Sequence, residues 1–321
     1  MHILLTNDDG PPNAESSPNV LSFARALRAP PFNHTVSVVL PSTQRSWIGK
    51  AHLLPASKLP LAHQQQPSTR PANENVTDHV TPTYYDPETG TAHPSPPEDP
   101  NKDYWVLVPG TPATCVQLGL FHHSLLFPIT STAPGSLEHT KDTPIDFVVS
   151  GPNHGRNTTA AFALSSGTLG GALEAAVVGV RSIAVSFAFF NRDEIPLLVD
   201  EACDHSARIV TKLMTDWDAN QQRAKKEGIA LPDVYSVNVP LTAGLTEKPI
   251  RWTWMLDNKW QGGSLYKILP HEPTALEEAI KNDAEDAGSK AEKSSQSAGE
   301  SGKLPPTAEL RDEYHTTAGQ F

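Results

Sequence analysis

The chain has 321 residues, with 25 Lys and Arg against 36 Asp and Glu and a formal net charge of −11. That balance excludes a surface built for nucleic-acid duplexes or anionic membranes, which need clustered cations, but it permits a small pocket for an anionic metabolite. Apolar residues make up 38 % and there are 30 prolines, so a core is present and part of the chain lies outside it.

The first element is the short apolar run Ile3-Leu4-Leu5-Thr6, stopped by the turn-forming cluster Asn7-Asp8-Asp9-Gly10. A brief apolar run ended by Asx and Gly reads as a buried strand. Between Asn19 and Arg28, the spacing of Val20, Phe23, Ala24 and Leu27 gives one helical face. Thr35 to Leu40 is rich in β-branched residues and ends at Pro41, as a second strand would. Strand, helix and strand in this order make a parallel βαβ unit the economical solution.

Residues 54–103 interrupt the pattern with ten prolines and the run Gln64-Gln65-Gln66. Proline removes amide donors and blocks helix, so this is expected to be a long insertion, part loop and part hairpin. Order resumes with a strand at Trp105–Val108, a helix from Pro112 to Leu120, and a strand at Ile145–Val149 that stops at Ser150-Gly151-Pro152-Asn153. Ser166-Gly167-Thr168 opens a small-residue helix through Val178, and Ser182–Phe187 is a further strand. From Leu197 to Trp217 one face carries Val199, Cys203, Val210 and Leu213, and Val234–Val239 closes the series. Between Lys281 and Lys303 there is no Val, Ile, Leu, Met or aromatic residue, so that stretch is expected to be disordered. Two cysteines, Cys115 and Cys203, cannot form a disulfide framework. With no signal-like N-terminal segment and no run of about 20 apolar residues, the expectation is a soluble cytoplasmic protein.

In an open parallel sheet the ligand crevice lies at the carboxyl ends of the strands. Three polar clusters fall there: Asn7 to Gly10, Gly110-Thr111-Pro112, and Ser150 to Asn153. Adjacent carboxylates repel when both are ionised, so a cation favours the doubly charged state. Taken alone, Asp8 and Asp9 read equally as a turn with a helix cap or as a metal site. Asn153 adds a carbonyl oxygen and Ser46 a hydroxyl, and an all-oxygen set suits Mg²⁺ or Mn²⁺ better than zinc. In Ser165 to Ala172 the glycines permit close packing, or let a helix N-terminus approach a phosphate with Ser166 and Thr168 adding hydroxyls. His154 and Arg156 flank Asn153 as auxiliary groups or as scaffold. Trp47 and Tyr84-Tyr85 read as rings that could stack on a base, with ordinary packing favoured for Trp47, and Glu174 reads as a surface or packing ion pair.

The segments NDDG, PSTQRS around Ser46, GTPATCVQLGL at 110–120, SGPNHGRN at 150–157 and SSGTLGGALEA at 165–175 together resemble the SurE family, with RSWIGKAH and GPNHGRNTTA similar to its eukaryotic, fungal-type branch. The resemblance spans about residues 1–50 and 104–240. It implies an α/β, Rossmann-like three-layer core with a mostly parallel sheet, placed at 1–275; by composition, 276–321 is expected to be a low-complexity, disordered tail. It also implies a metal-dependent 5′/3′-nucleotidase that cleaves nucleoside monophosphates. Metal ligands carry over as Asp8, Asp9, Ser46 and Asn153, with Asp8, Asp9 and Asn153 catalytic. Phosphate binding is expected from Asn7, Gly10, Ser166, Gly167 and Thr168, and the partner is a small phosphomonoester. The family's C-terminal extension is used in oligomer formation, implying a homodimer or homotetramer, yet SLYKILP at 264–270 does not match the family's closing strand.

Competing readings are less well supplied. A haloacid-type phosphatase places an acid two residues after its nucleophile, where this chain has Gly10. A phospho-acceptor receiver domain needs a third aspartate near the third strand end, where this chain has PGTPAT. An inactive homologue acting as a metal- or nucleotide-binding interaction protein remains the alternative.

Overall fold

A computed structural model describes residues 1–53, 80–99, 102–128, 144–189, 195–229 and 232–257. All of these belong to one unit, residues 1–261. The expected closing segment at 264–270 and the tail at 276–321 lie outside the described residues.

Among the described residues eight strands form one sheet: β1 (His2–Thr6), β2 (Thr35–Pro41), β3 (Thr83–Asp86), β4 (Thr91–His93), β5 (Trp105–Val108), β6 (Phe147–His154), β7 (Ser182–Ala188) and β8 (Val234–Pro240). Their spatial order is β4-β3-β5-β2-β1-β6-β7-β8. From β5 to β8 every neighbouring pair is parallel. The chain moves outward from β1 to β2 and β5, then crosses back to place β6 on the other side of β1. Numbered among the parallel strands alone, the order is 3-2-1-4-5-6, the doubly wound arrangement whose strand order reverses at β1.

Alternation along β1 explains the layering. Successive strand side chains point to opposite faces. Ile3 and Leu5 enter the larger core with Phe23, Leu27, Val210 and Trp217, while Leu4 enters the second core with Val106, Cys115 and Val116. One face is therefore covered by α1 (Val20–Arg28) and α6 (Ile195–Glu227). The other is covered by α2 (Pro112–Phe121), which α3 (His123–Leu126) follows, and by α5 (Gly167–Val177), which α4 (Ala160–Ser165) precedes. Helices on both faces of one sheet make the expected three-layer α/β core.

Three elements differ from the sequence expectation. β6 does not stop at Val149 but runs through Ser150-Gly151-Pro152-Asn153 to His154, with a register shift against β7 between Ser150 and Asn153. Gly151 makes the shift possible: its φ is +125°, and a Cβ there would fall 2.1 Å from the Val185 carbonyl oxygen. Helix α6 continues ten residues past Trp217, where no apolar stripe signals it. Good helix formers carry it onward, and Lys225 and Lys226 close it favourably at its C-terminal end. Within the Pro-rich insertion, β3 and β4 form the expected hairpin, but the hairpin joins the main sheet by antiparallel pairing to β5. Residues 54–79 of the insertion lie outside the described residues. Tyr84 and Tyr85 are buried at this edge, so the base-stacking reading for them is withdrawn. Among the described residues, no helix is long and apolar enough to cross a membrane.

Candidate active site

The turn after β1 is built by its own side chains. Asn7 Nδ2 donates to the Gly10 carbonyl at 2.8 Å and to Ser17 Oγ at 3.1 Å, while Asn7 Oδ1 accepts the Gly10 amide at 3.0 Å. Ser17 Oγ donates to the Gly10 carbonyl at 2.9 Å. Gly10 itself sits at φ +85°, and a Cβ there would press on the Thr43 backbone at 3.2 Å. Asn7 and Gly10 were expected to bind phosphate, but the Asn7 side chain and the Gly10 amide are engaged in closing the loop.

That closure fixes Asp8 and Asp9, which are 2 % and 3 % exposed. Asp8 lies against the start of α5. Thr168 Oγ1 donates to Asp8 Oδ1, and the Thr168 and Gly167 amides also favour the ionised carboxylate. The approach is close enough that a Cβ on Gly167 would stand 2.7 Å from Asp8 Cβ. Gly167 and Thr168 were expected to hold phosphate; their donors instead face a carboxylate supplied by the chain itself, a helix N-terminus meeting an anion. Ser166 caps the same helix by accepting the Leu169 amide at 3.1 Å, so its hydroxyl proton is not used in the cap.

Asp9 faces the other way. Its Oδ2 accepts the His154 amide at 2.8 Å, and its Oδ1 lies 3.5 Å from Ser46 Oγ. The extension of β6 past Gly151 is what brings His154 and Asn153 here. Asn153 Nδ2 donates to the Gly155 carbonyl at 2.8 Å, so the side-chain oxygen is the atom that could coordinate a cation. Asp9 thus meets Ser46 and the His154 amide where the loops after β1 and β2 approach the end of β6, and Asn153 is the residue before His154.

Electrostatics set this group apart. Burial raises the pKa of Asp8, against the opposing effect of Thr168. Burial and the charge of Asp8 push Asp9 well above the ordinary carboxylate range, opposed by the His154 amide and Ser46. Among the described residues, no lysine or arginine forms an ion pair with either aspartate. No cluster of three or more His, Cys, Asp or Glu able to hold a metal occurs among them. A cation here would rest on two carboxylates, a hydroxyl and an amide oxygen, a hard donor set that fits Mg²⁺ or Mn²⁺.

The auxiliary residues divide. The His154 ring stacks on Phe189 at 4.6 Å, so its backbone serves Asp9 while its ring packs. Arg156 lies over the Phe162 ring at 5.9 Å, and Trp47 meets the same ring edge-on at 5.9 Å. Trp47 thus packs on Phe162 while remaining 55 % exposed, at φ +67°. Arg45 went unremarked in the sequence reading. Its amide donates to the Asp8 carbonyl at 2.6 Å and its Nε to the Gly110 carbonyl at 3.1 Å, so it ties three strand-end loops together. Its signal was its place inside PSTQRS.

A cavity of about 260 Å³ opens elsewhere, beneath the β3–β4 hairpin, lined among others by Tyr84, Asp86, His93, Lys102 and Tyr104. There Asp86 is neutralised by Lys102 at 2.8 Å. Volume and chemistry therefore disagree, and the buried, uncompensated carboxylates mark the stronger site.

The family described as Survival protein SurE matches residues 3–262. A probable tubulin–tyrosine ligase, PBY1, from Saccharomyces cerevisiae is 32 % identical over 270 residues, covering 81 % of this chain and 31 % of that protein. The 5′-nucleotidase SurE of Ruegeria pomeroyi is 32 % identical over 168 residues, covering 50 % of this chain and 52 % of that protein. This chain therefore spans about half or less of the length of these two relatives. The 5′-nucleotidase SurE of Synechococcus sp. is 28 % identical over 79 % of this chain and 68 % of its own length. A crystal structure of SurE protein from Aquifex aeolicus aligns with 75 % of this chain and 67 % of that chain, at 26 % identity and a TM-score of 0.42.

Proposed function

Because the chain belongs to the SurE survival protein family, we propose that it is a metal-dependent phosphomonoesterase that hydrolyses nucleoside monophosphates to nucleoside and inorganic phosphate. The observation that carries this reading is the buried Asp8–Asp9 pair, which has no compensating side-chain cation among the described residues and stands at the carboxyl edge of the sheet. The relatives named 5′-nucleotidase support the choice of substrate class. The yeast relative's name denotes a ligase, but this chain covers 31 % of that protein, and no ligase chemistry is proposed.

In this reading Asp8, Asp9, Ser46 and Asn153 hold Mg²⁺ or Mn²⁺. When bound, such a cation supplies Lewis-acid polarisation of a phosphate oxygen and a water of lowered pKa. The remaining work belongs to the chain. Thr168 and the first amides of α5 aim Asp8 and favour its ionised form against the effect of burial, and the His154 amide does the same for Asp9. Donors that stand behind a metal ligand orient it and tune its basicity. The roles of Gly167 and Thr168 are thus indirect, while the Ser166 hydroxyl remains as a donor to substrate. Arg156 and the His154 ring act as flanking groups.

The test is phosphate release from AMP and GMP with Mg²⁺ or Mn²⁺ varied. Asp8→Asn is expected to lower kcat/KM by on the order of 10³-fold. Full activity in Asp8→Asn, or activity indifferent to a chelator, would sink the proposal. If nothing is cleaved with either metal, the reading as a metal- or nucleotide-binding interaction protein replaces it.

A further inference from the structure

Glu174 on α5 is 3 % exposed and lies outside the donor set described above. Gln117 Nε2 of α2 donates to its Oε1 at 2.5 Å. Lys50 Nζ stands 2.6 Å and His52 Nε2 3.4 Å from its Oε2. Lys50 and His52 belong to the loop that carries Ser46, and the same loop is pressed into place along its backbone. Gly49 sits at φ +72°, and a Cβ there would fall 2.9 Å from the Leu164 carbonyl. A Cβ on Gly170 would fall 2.7 Å from the Gly49 carbonyl. Thr111 Oγ1 donates to the Ala51 carbonyl, and His52 Nδ1 lies 3.3 Å from Thr114 Oγ1. Residues Gly49 to His52 are therefore fixed from α2, α4 and α5, whereas Ser46 meets Asp9 only at 3.5 Å.

A buried ion pair adds little net stability over apolar packing, and its best-attested use is to fix a register. Resting on the reading of Ser46 as a metal ligand, we propose that Glu174 is a positioning residue: through Lys50 and His52 it anchors loop 45–52, and so sets where Ser46 stands relative to Asp9. Packing alone would hold the loop near α5. The charged anchor, one helical turn beyond Gly170, selects which residue of the loop lies there.

The test uses the full chain and Mn²⁺ as probe. Wild type, Glu174→Gln, Lys50→Met and the double variant are compared by Mn²⁺ binding isotherm, by hydrogen exchange in peptides covering 45–53, and by AMP hydrolysis. Either single substitution is expected to speed exchange in that loop and weaken Mn²⁺ binding about tenfold. The double variant should bind no more weakly than the weaker single, because both remove one anchor. Lys50→Met breaks the pair from its more exposed side and serves where Glu174→Gln does not fold. Unchanged Mn²⁺ affinity in a folded variant overturns the proposal, whatever its melting temperature, and so does a wild type that binds no Mn²⁺. A wild type that binds Mn²⁺ without cleaving AMP refutes the phosphomonoesterase reading alone; the change in Mn²⁺ affinity then still decides the role of Glu174.

Discussion

Two buried acidic regions lie on either side of the N-terminal half of α5, and they are solved differently. Asp8, against the first turn, and its neighbour Asp9 receive hydrogen bonds but no side-chain cation from the described residues. Glu174, further along the helix, receives Lys50, His52 and Gln117. The consequences are opposite in sign. Burial and mutual repulsion raise the aspartates. For Glu174, burial also raises the pKa, but Gln117, Lys50 and His52 outweigh it and the net shift is downward. A buried acid that the fold pairs with cations is part of the scaffold, while one that the fold orients and leaves without a side-chain cation is, in the reading proposed above, the place for a cation from outside. Burial alone does not distinguish the two.

The sharpest way to break this contrast is to disturb the orienting contact without touching a charge. Gly167→Ala places a Cβ 2.7 Å from Asp8 Cβ, so the carboxylate or the helix must move. We expect kcat/KM to fall about 10²-fold, the size of effect produced by a displacement of roughly 1 Å at a reacting centre. Far-UV circular dichroism should remain that of the parent, and a variant with parental kinetics would show that the close approach is incidental.

Glu174 gives the next largest effect. Its folded pKa lies below the ordinary 4.5, so its contribution to stability is present above 4.5 and is lost as pH falls through the lowered value. Glu174→Gln should cost about 1–2 kcal/mol at pH 7, discounted for the partial exposure of Lys50. Denaturant titrations should show the gap to wild type narrowing below pH 4.5. A gap independent of pH would mean that shape rather than charge holds the site.

Asp9 should behave in the reverse sense and more weakly. Its folded pKa is raised above 3.8, so the folded state binds its proton more tightly and metal-free stability declines as pH rises through that window. Asp9→Asn removes the penalty. At pH 7 the metal-free variant should gain on the order of 1 kcal/mol, or roughly 2–4 °C in melting temperature. It should also lose the stabilisation that Mn²⁺ gives the wild type. A metal-free Asp9→Asn that melts below wild type would contradict the account of an uncompensated pair.

The sheet was legible because apolar runs such as Ile3–Leu5 and Trp105–Val108 are bounded by turn residues, and the helix faces of α1 and α6 because their apolar spacing is periodic. The strand-end position of Asp8 and Asp9 followed from the same reading. What escaped it depends on long-range contact. Gly151-Pro152 looks like a terminator locally, and only pairing with β7 shows the strand passing through it. That Thr168 donates to Asp8 has no local signal, because the two are 160 residues apart in the chain. The engagement of Asn7 with Ser17 likewise depends on how the intervening prolines turn. Glu174 was seen correctly as one side of an ion pair, but its partners stand on a loop whose course no local pattern fixes.

The hairpin that the insertion adds to the sheet has one more consequence. Without β3, strand β5 would end the sheet with Trp105-Val106-Leu107-Val108, four fully apolar residues, and with an open row of amides and carbonyls. β3 takes up that row by antiparallel pairing, and the outermost strand becomes β4, three exposed residues of sequence Thr-Ala-His. Short, polar outer strands are how natural sheets discourage pairing with a neighbouring chain. Among the described residues, segment 83–93 thus replaces an apolar sheet border with a short polar one.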